Sequence, residues 1–483
     1  MRKQTFIHTI CILISASVLV SSCKKLLETE PPISSISTEE MFSNNQQAEL
    51  AIAGIYSKMI NGIDMVSTSG ITNTCFAAGL TTITAGLSSD ELMITGNNIA
   101  DDLALSQNKI LPSNTRRTDA IWNSAFRTAY DATAVIDGIA ASTSEELVES
   151  VRNQLTGEAL AIRAFSYFYL VNSFGDVPLV LSSDSKKNVA LPRAPVSKIY
   201  EQIIADLVKA RSLLSSDFAF AKNEKVRVSK WFAEALLARV YLYTGQYQSA
   251  ISSATEVINQ KALFDLEPDL GKVFLKQSKE AIFQLKQTSE NAYQKLGTPE
   301  GLAFLYNANT AGTPPYIVLS DQLLGSFEAN DQRRTSWVAS YPPYLAPAKY
   351  KNGEGLEYYI VMRLAELYLI RAEATVLGSP ANVNAAIADI NQLRKRANVT
   401  ELELDLPAAT VIDAIAHERK IELFAEWGHR WFDLKRTGKA HDTLSAIPNK
   451  QPWWGDFQLL YPIPEKEINV NGQLIQNPEY NTL

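Results

Sequence analysis

The stretch Leu237-Ala238-Arg239-Val240-Tyr241-Leu242-Tyr243-Thr244-Gly245-Gln246-Tyr247-Gln248-Ser249-Ala250 decides the fold. Its Leu-Ala, Tyr, Gly, Tyr and Ala positions have the spacing of a tetratricopeptide repeat. Such a unit is a helix, a glycine turn, and a second helix whose small residues let its partner pack closely. The pattern predicts helices over 229–244 and 247–260.

Looser copies lie on both sides. Ala161–Gly175 followed by Lys198–Leu214, and Arg363–Gly378 followed by Asn382–Arg396, repeat the pairing with longer connections. Gln46–Ile60 with Asp119–Ile139 forms another candidate pair. Apolar residues at helical spacing also predict helices over 144–174, 357–377 and 408–435. The helix over 144–174 is stopped by Gly175 and Pro178. Between these helices lie two segments without clear period, about 61–118 and 263–350, rich in Gly, polar residues and, in the second, aromatics. The expectation is a mostly α protein: a tetratricopeptide-repeat helical scaffold with large irregular loop excursions and minor β, including a short strand at Ala281–Lys286.

The N-terminus carries a different signal. Arg2 and Lys3 precede an apolar run from Phe6 to Val20, and Val20-Ser21-Ser22 sets small residues before Cys23. The run is too short to cross a hydrocarbon core of ~30 Å as a helix, which fits a removed secretory signal. Small residues before a cysteine admit a peptidase, and the thiol can take a lipid thioether. Residues 1–22 therefore read as a signal peptide and 23–43 as a lipidated N-terminus and tether, attached at Cys23. Residues 44–483 read as one domain. Ser37-Thr38-Glu39-Glu40 gives a helix-start signal within the tether.

Removing residues 1–22 takes away Arg2 and Lys3 and no acids. Of 45 basic residues 43 remain against 52 acidic ones, a net charge of −9. That balance argues against nucleic acid as a partner. Cys75 is the one cysteine left besides Cys23, so an exported chain has no disulfide framework.

The densest charged segment is His417–Arg436. Glu422, Glu426 and His429 share a helical face, and Glu426-x-x-His429 copies the ligand spacing of carboxylate-bridged di-iron sites. Such a site needs a second Glu-x-x-His, which the chain lacks. The segment reads as a buried network of Glu418, Glu422, Arg419 and Arg430 joining helices, with no metal. A Gly-x-Ser-x-Gly elbow, a P-loop and a dinucleotide fingerprint are all missing from the sequence, so no enzyme and no cofactor are expected.

The excursions offer binding chemistry instead. Aromatic faces stack on the apolar faces of sugar rings, and amides, carboxylates and guanidinium groups bind hydroxyls. Trp337, Tyr341 and Tyr306 are the leading stacking candidates, with Arg333, Asn307, Asn73 and Asp90 as polar ones. Residues 65–105 and 290–345 are expected to meet in one surface cleft, since solenoids bring distant connections onto one face.

Five blocks carry a family resemblance. They are Cys23-Lys24-Lys25 with Pro31-Pro32, the Gly157-Glu158…Arg163-Ala164-Phe165…Tyr167-Phe168 helix ending in Phe174-Gly175-Asp176-Val177-Pro178, and Arg363…Glu366…Tyr368-Leu369…Arg371-Ala372-Glu373-Ala374. The last two are Glu418-Arg419…Glu422…Glu426…Gly428-His429-Arg430-Trp431-Phe432-Asp433-Leu434-Lys435-Arg436 and Tyr461-Pro462-Ile463-Pro464…Asn477-Pro478. Together they resemble the SusD/RagB family. The resemblance implies a lipid-anchored protein of the outer membrane, facing the cell exterior in Bacteroidota. It further implies capture of an oligosaccharide ligand for a partner TonB-dependent (SusC-like) outer-membrane transporter. A peptide-binding lid of the same importer type and a protein-binding tetratricopeptide scaffold are the alternatives. Two departures stand out: Lys24 and Lys25 directly follow the cysteine, and the first excursion has Phe76 as its one aromatic between Gly62 and Pro112.

Overall fold

The computed structural model describes residues 37–62, 75–96, 99–113, 116–287, 297–305, 315–351 and 355–480. Its principal helices are α1 (Asn45–Asn61), α2 (Thr81–Ser88), α3 (Ala100–Gln107), α4 (Arg116–Ala141), α5 (Glu149–Phe174), α6 (Val196–Leu213), α7 (Lys230–Tyr243), α8 (Tyr247–Ile258), α9 (Leu364–Leu377), α10 (Val383–Arg396), α11 (Ala408–Glu422) and α12 (His429–Arg436). Its principal strands are β1 (Leu92–Ile94), β2 (Ala281–Leu285), β3 (Ile317–Leu319), β4 (Val338–Tyr341), β5 (Tyr344–Pro347) and β6 (Tyr359–Arg363).

The repeat unit forms as its residues dictate. Gly245 takes φ +71°, a conformation that L side chains rarely adopt, and closes the turn between α7 and α8. Ala238 and Ala250 are fully buried. Helix packs on helix along the chain: α1 on α4, α4 on α5, α5 on α6, α7 on α8, α8 on α9 and α9 on α10. One large apolar core runs through these layers, and a smaller cluster of Ala372, Ile387, Ile390, Val411 and Ile415 joins α9, α10 and α11.

Three sequence expectations change. The helix expected over 357–377 begins as strand β6. Its Tyr359-Ile360-Val361-Met362 run favours a pleated surface and pairs antiparallel with β2, leaving α9 to start at Leu364. The helix expected over 408–435 breaks between α11 and α12, where Ala425, Trp427 and Gly428 all have positive φ. A Cβ on Gly428 would lie 2.5 Å from the Ala85 Cβ, so the break lets α2 pack against this corner.

The first excursion is not a loop in its described part. A kinked turn (Phe76–Leu80), in which Ala78 and Gly79 leave helical φ/ψ, leads into α2, and every residue of both is buried. A helix enclosed on all sides has no polar face and hence no amphipathic period to read. Residues 63–74 lie outside the described residues.

Candidate functional site

After α2 the chain turns through Ser89, Asp90 and Glu91 into β1, which pairs antiparallel with β3: Leu92 opposite Leu319 and Ile94 opposite Ile317. Ser320 fastens the turn. Its amide donates to the Glu91 carbonyl at 2.9 Å and its hydroxyl to the Asp90 carbonyl at 2.6 Å. The described parts of the two excursions therefore meet. Between them, α3 and a C-terminal loop (447–450) lies a cleft of about 430 Å³. Ser89, Asp90, Gln107, Asp321, Gln322 and Asn449 supply its polar lining, and Leu92, Met93, Ile94, Leu103 and Ile447 its apolar lining.

The floor is held by Lys450. This buried lysine donates to the carbonyls of Leu87, Ser88 and Ser106 at 2.9–3.2 Å and to Asn108 Oδ1 at 2.5 Å. It thereby ties off the C-terminal carbonyls of α2 and α3, groups a helix cannot satisfy itself. Burial pulls its pKa to about 7, while four oxygens around one nitrogen favour the ammonium.

One wall is fixed electrostatically. Arg430 holds Asp90 through two hydrogen bonds, and Lys420 Nζ lies 3.0 Å from Asp90 Oδ2. Burial alone would raise the Asp90 pKa, but the Arg430 hydrogen bonds and charge, with Lys420, hold it at about 2. The neighbouring Glu91 is fully buried with Oε1 lacking a hydrogen-bond partner, and burial, then the Asp90 charge, pushes its pKa to about 8.

Of the residues singled out from sequence, Asp90 alone among the described ones lines this cleft. Its carboxylate is committed to Arg430, so it shapes the wall rather than offering free oxygens. Trp337 is 0% exposed and cannot stack on a ligand. Its indole N–H donates to the Leu270 carbonyl at 2.9 Å, Phe274 packs edge-on, and Lys349 Nζ sits 4.7 Å over the ring. Arg333 is likewise buried, bonded to Asp331, Glu418 and Glu422. An Asp-Gln-Arg-Arg run reads as a hydrogen-bonding surface, but Asp331 caps a short helix (Gln332–Ser336) and turns inward with Arg333, leaving Gln332 and Arg334 exposed. Tyr341 is half-buried opposite Tyr344 in the β4–β5 hairpin and does not line the cleft. Cys23, Asn73, Tyr306 and Asn307 lie outside the described residues.

The His417–Arg436 network exists with other partners than those expected. Glu422 meets Arg333, Arg363 and Arg396, Arg419 meets Asp433, and Arg430 meets Asp90. Arg363 Nε and Nη2 take both oxygens of Glu426 at 2.8 and 2.7 Å. His429 has its pKa drawn down to about 4 by burial and is neutral near pH 7.

Sequence reasoning missed the cleft's amides, Asp321 and Lys450, which sit singly in unremarkable contexts. It also missed Gln451-Pro452-Trp453-Trp454-Gly455, adjacent tryptophans in a turn directly after the cleft residue Lys450, which was a readable signal.

Known proteins share this architecture. Residues 329–480 match the model of the SusD family, and residues 78–242 match one described as starch-binding associating with outer membrane. SusD-like protein P2 of Formosa agariphila is 27% identical over 535 aligned residues, covering 99% of both chains. Starch-binding protein SusD of Bacteroides thetaiotaomicron is 35% identical over 131 residues, 25% of this chain and 21% of its own. A solved SusD superfamily protein from Bacteroides vulgatus superposes with TM-score 0.75 at 20% identity, covering 90% of this chain and 99% of that one. A laminarin binding SusD-like protein gives TM-score 0.71 at 24% identity, covering 91% and 100%. Two matches that fall in chain order on the helical scaffold, a relative aligned from end to end and the shared fold identify the chain as a member of the SusD/RagB family.

Proposed function

We propose that the protein is a glycan-binding lipoprotein of the outer-membrane surface, anchored through Cys23. In this reading it captures oligosaccharide and passes it to a TonB-dependent, SusC-like transporter. The observation that carries it is the cleft where the two excursions meet, lined by hydroxyl, amide and carboxylate groups above an aliphatic wall. Such groups pair with sugar hydroxyls, while apolar surface takes the ring faces. The relatives point the same way, one being a starch-binding protein and another a laminarin binding one. Binding rather than turnover fits the charges. A glycosidase acid needs a raised pKa and access to its substrate: Asp90, on the cleft wall, is held at about 2, and Glu91, raised to about 8, is buried and does not line the cleft.

The test is a glycan array probed with the purified protein in detergent, followed by calorimetry. Binding to a defined oligosaccharide class supports the reading, and a blank array defeats it. The peptide-lid alternative is favoured by one feature: the apolar lining is aliphatic, with no aromatic ring among the described lining residues. Binding of peptides together with a blank glycan array would establish that alternative.

A further inference from the structure

The described lining of the cleft has no aromatic ring, yet an exposed tryptophan follows shortly after its floor residue Lys450 in the chain. Trp454 is 39% exposed, whereas Trp122, Trp231, Trp337, Trp427 and Trp431 are buried. A large indole left open to water loses the benefit of burial, and its flat face with one polar N–H suits it to contact a ligand that is apolar on one side and hydroxylated at its edges. The turn that carries Trp454 is tied to the fold on both sides. Lys109, just past α3, donates from Nζ to the Gln451 carbonyl at 2.9 Å. Trp453 donates from Nε1 to Asp456 at 3.1 Å, Asp456 meets His441 at 2.8 Å, and the Trp453 and His441 rings pack edge to face. Neighbouring Trp453 is thus held in the fold, and Trp454 donates no hydrogen bond to a described residue. Trp454 lies four positions on from Lys450, the cleft-floor residue, a Cα-to-Cα reach of at most ~14 Å. That distance lies within the length of a short oligosaccharide.

The charges around the cleft narrow the ligand. Lys450 is spent on four oxygens, Arg430 and Lys420 on Asp90, and Lys109 on a carbonyl. Asp321 is exposed and forms no ion pair among the described residues. A uronate or sulfate entering this cleft would meet a free carboxylate and no uncommitted cation among the described lining residues.

We propose that Trp454 is the stacking platform of this site and that the ligand is an uncharged oligosaccharide running from the cleft across its indole face. This rests on the glycan-capture reading and assigns its stacking residue and ligand class. The test compares wild type, Trp454→Ala and Trp454→Phe by calorimetry. The probes are neutral α- and β-glucan oligosaccharides, an oligogalacturonate and a sulfated oligosaccharide, with melting temperature as control. Trp454→Ala should weaken binding of the preferred neutral oligosaccharide roughly tenfold, with Trp454→Phe keeping most of it and melting unchanged. If wild type binds a glycan and Trp454→Ala binds it equally well, the platform is wrong and glycan capture stands. Tightest binding to either acidic oligosaccharide overturns the uncharged class. If wild type binds none of the probes, this inference fails together with the reading beneath it.

Discussion

Arg430 grips Asp90 across 340 residues of chain, Nε to Oδ1 at 2.7 Å and Nη2 to Oδ2 at 3.0 Å. The pair bolts α12 to the turn that forms one wall of the cleft, so the charged C-terminal segment and the first excursion act as one piece. Removing Arg430 leaves the buried Asp90 carboxylate with Lys420 as its remaining cation, which should cost up to the ~3 kcal/mol typical of breaking a buried pair. Arg430→Ala should lower the melting temperature accordingly. A variant as stable as wild type would show that the pair contributes nothing.

The same pair predicts an acid limb. The Asp90 pKa is about 2 when folded, below its ordinary 3.8, so its stabilisation is present above 3.8 and is lost as pH falls through about 2. Asp90→Asn should be less stable at neutral pH and should lose less on acidification across that window. Parallel melting curves for the two proteins from pH 4 to pH 2, by circular dichroism, would refute the assignment.

Glu91 predicts the opposite slope. Burial first, and then the Asp90 charge, raises its pKa from 4.5 to about 8. The folded state keeps a proton that the unfolded chain releases, so stability falls as pH rises from 4.5 to about 8 and levels off above. Glu91→Gln removes the ionisation at nearly the same shape. It should flatten that decline and melt higher than wild type at pH 8, with little difference at pH 5. Equal pH dependence in both proteins would mean that Glu91 is ionised in the fold.

Trp337 belongs to the core and not to the ligand. Its ring fills the space between Phe274 and Phe424, with Lys349 Nζ against its face. Trp337→Ala should cost about 3–5 kcal/mol in stability, measured by denaturant unfolding. The folded fraction should bind ligand as wild type does. Selective loss of affinity at full stability would return Trp337 to the binding surface.

The helical layers were legible because their residues announce themselves locally. Gly245 needs its turn, Ala238 and Ala250 need a close neighbour, and apolar residues in α4 recur with helical period. The site was far less legible, for two physical reasons. Helix α2 is buried on every side, so its sequence has no polar face by which to recognise it. Arg333 and Trp337 have the chemistry of a sugar site, but local sequence does not say which way a side chain points. Distant Glu418 and Glu422 on α11 draw Arg333 inward, and Trp337 follows it. Asp90 lies on the wall of the cleft, but its pairing with Arg430 was not readable because that partner is remote in sequence. Trp454 was visible in principle, because two adjacent tryptophans between Pro452 and Gly455 have no helical or strand period to serve.

The final prediction concerns Cys23. It follows an apolar run ended by Val20-Ser21-Ser22, and of three cysteines it alone has small residues before it at such a boundary. Cys75 is buried, with its thiol pushed up to about 12 by burial, and is thus a poor acceptor for lipid. One acyl chain holds a protein to a bilayer only marginally, whereas several give stable attachment. Cys23→Ser should therefore move the protein from the membrane fraction to the soluble one and abolish labelling by radioactive palmitate, while the folded domain keeps its melting temperature. Should the variant still sediment with membranes and still take up palmitate, the anchor lies elsewhere.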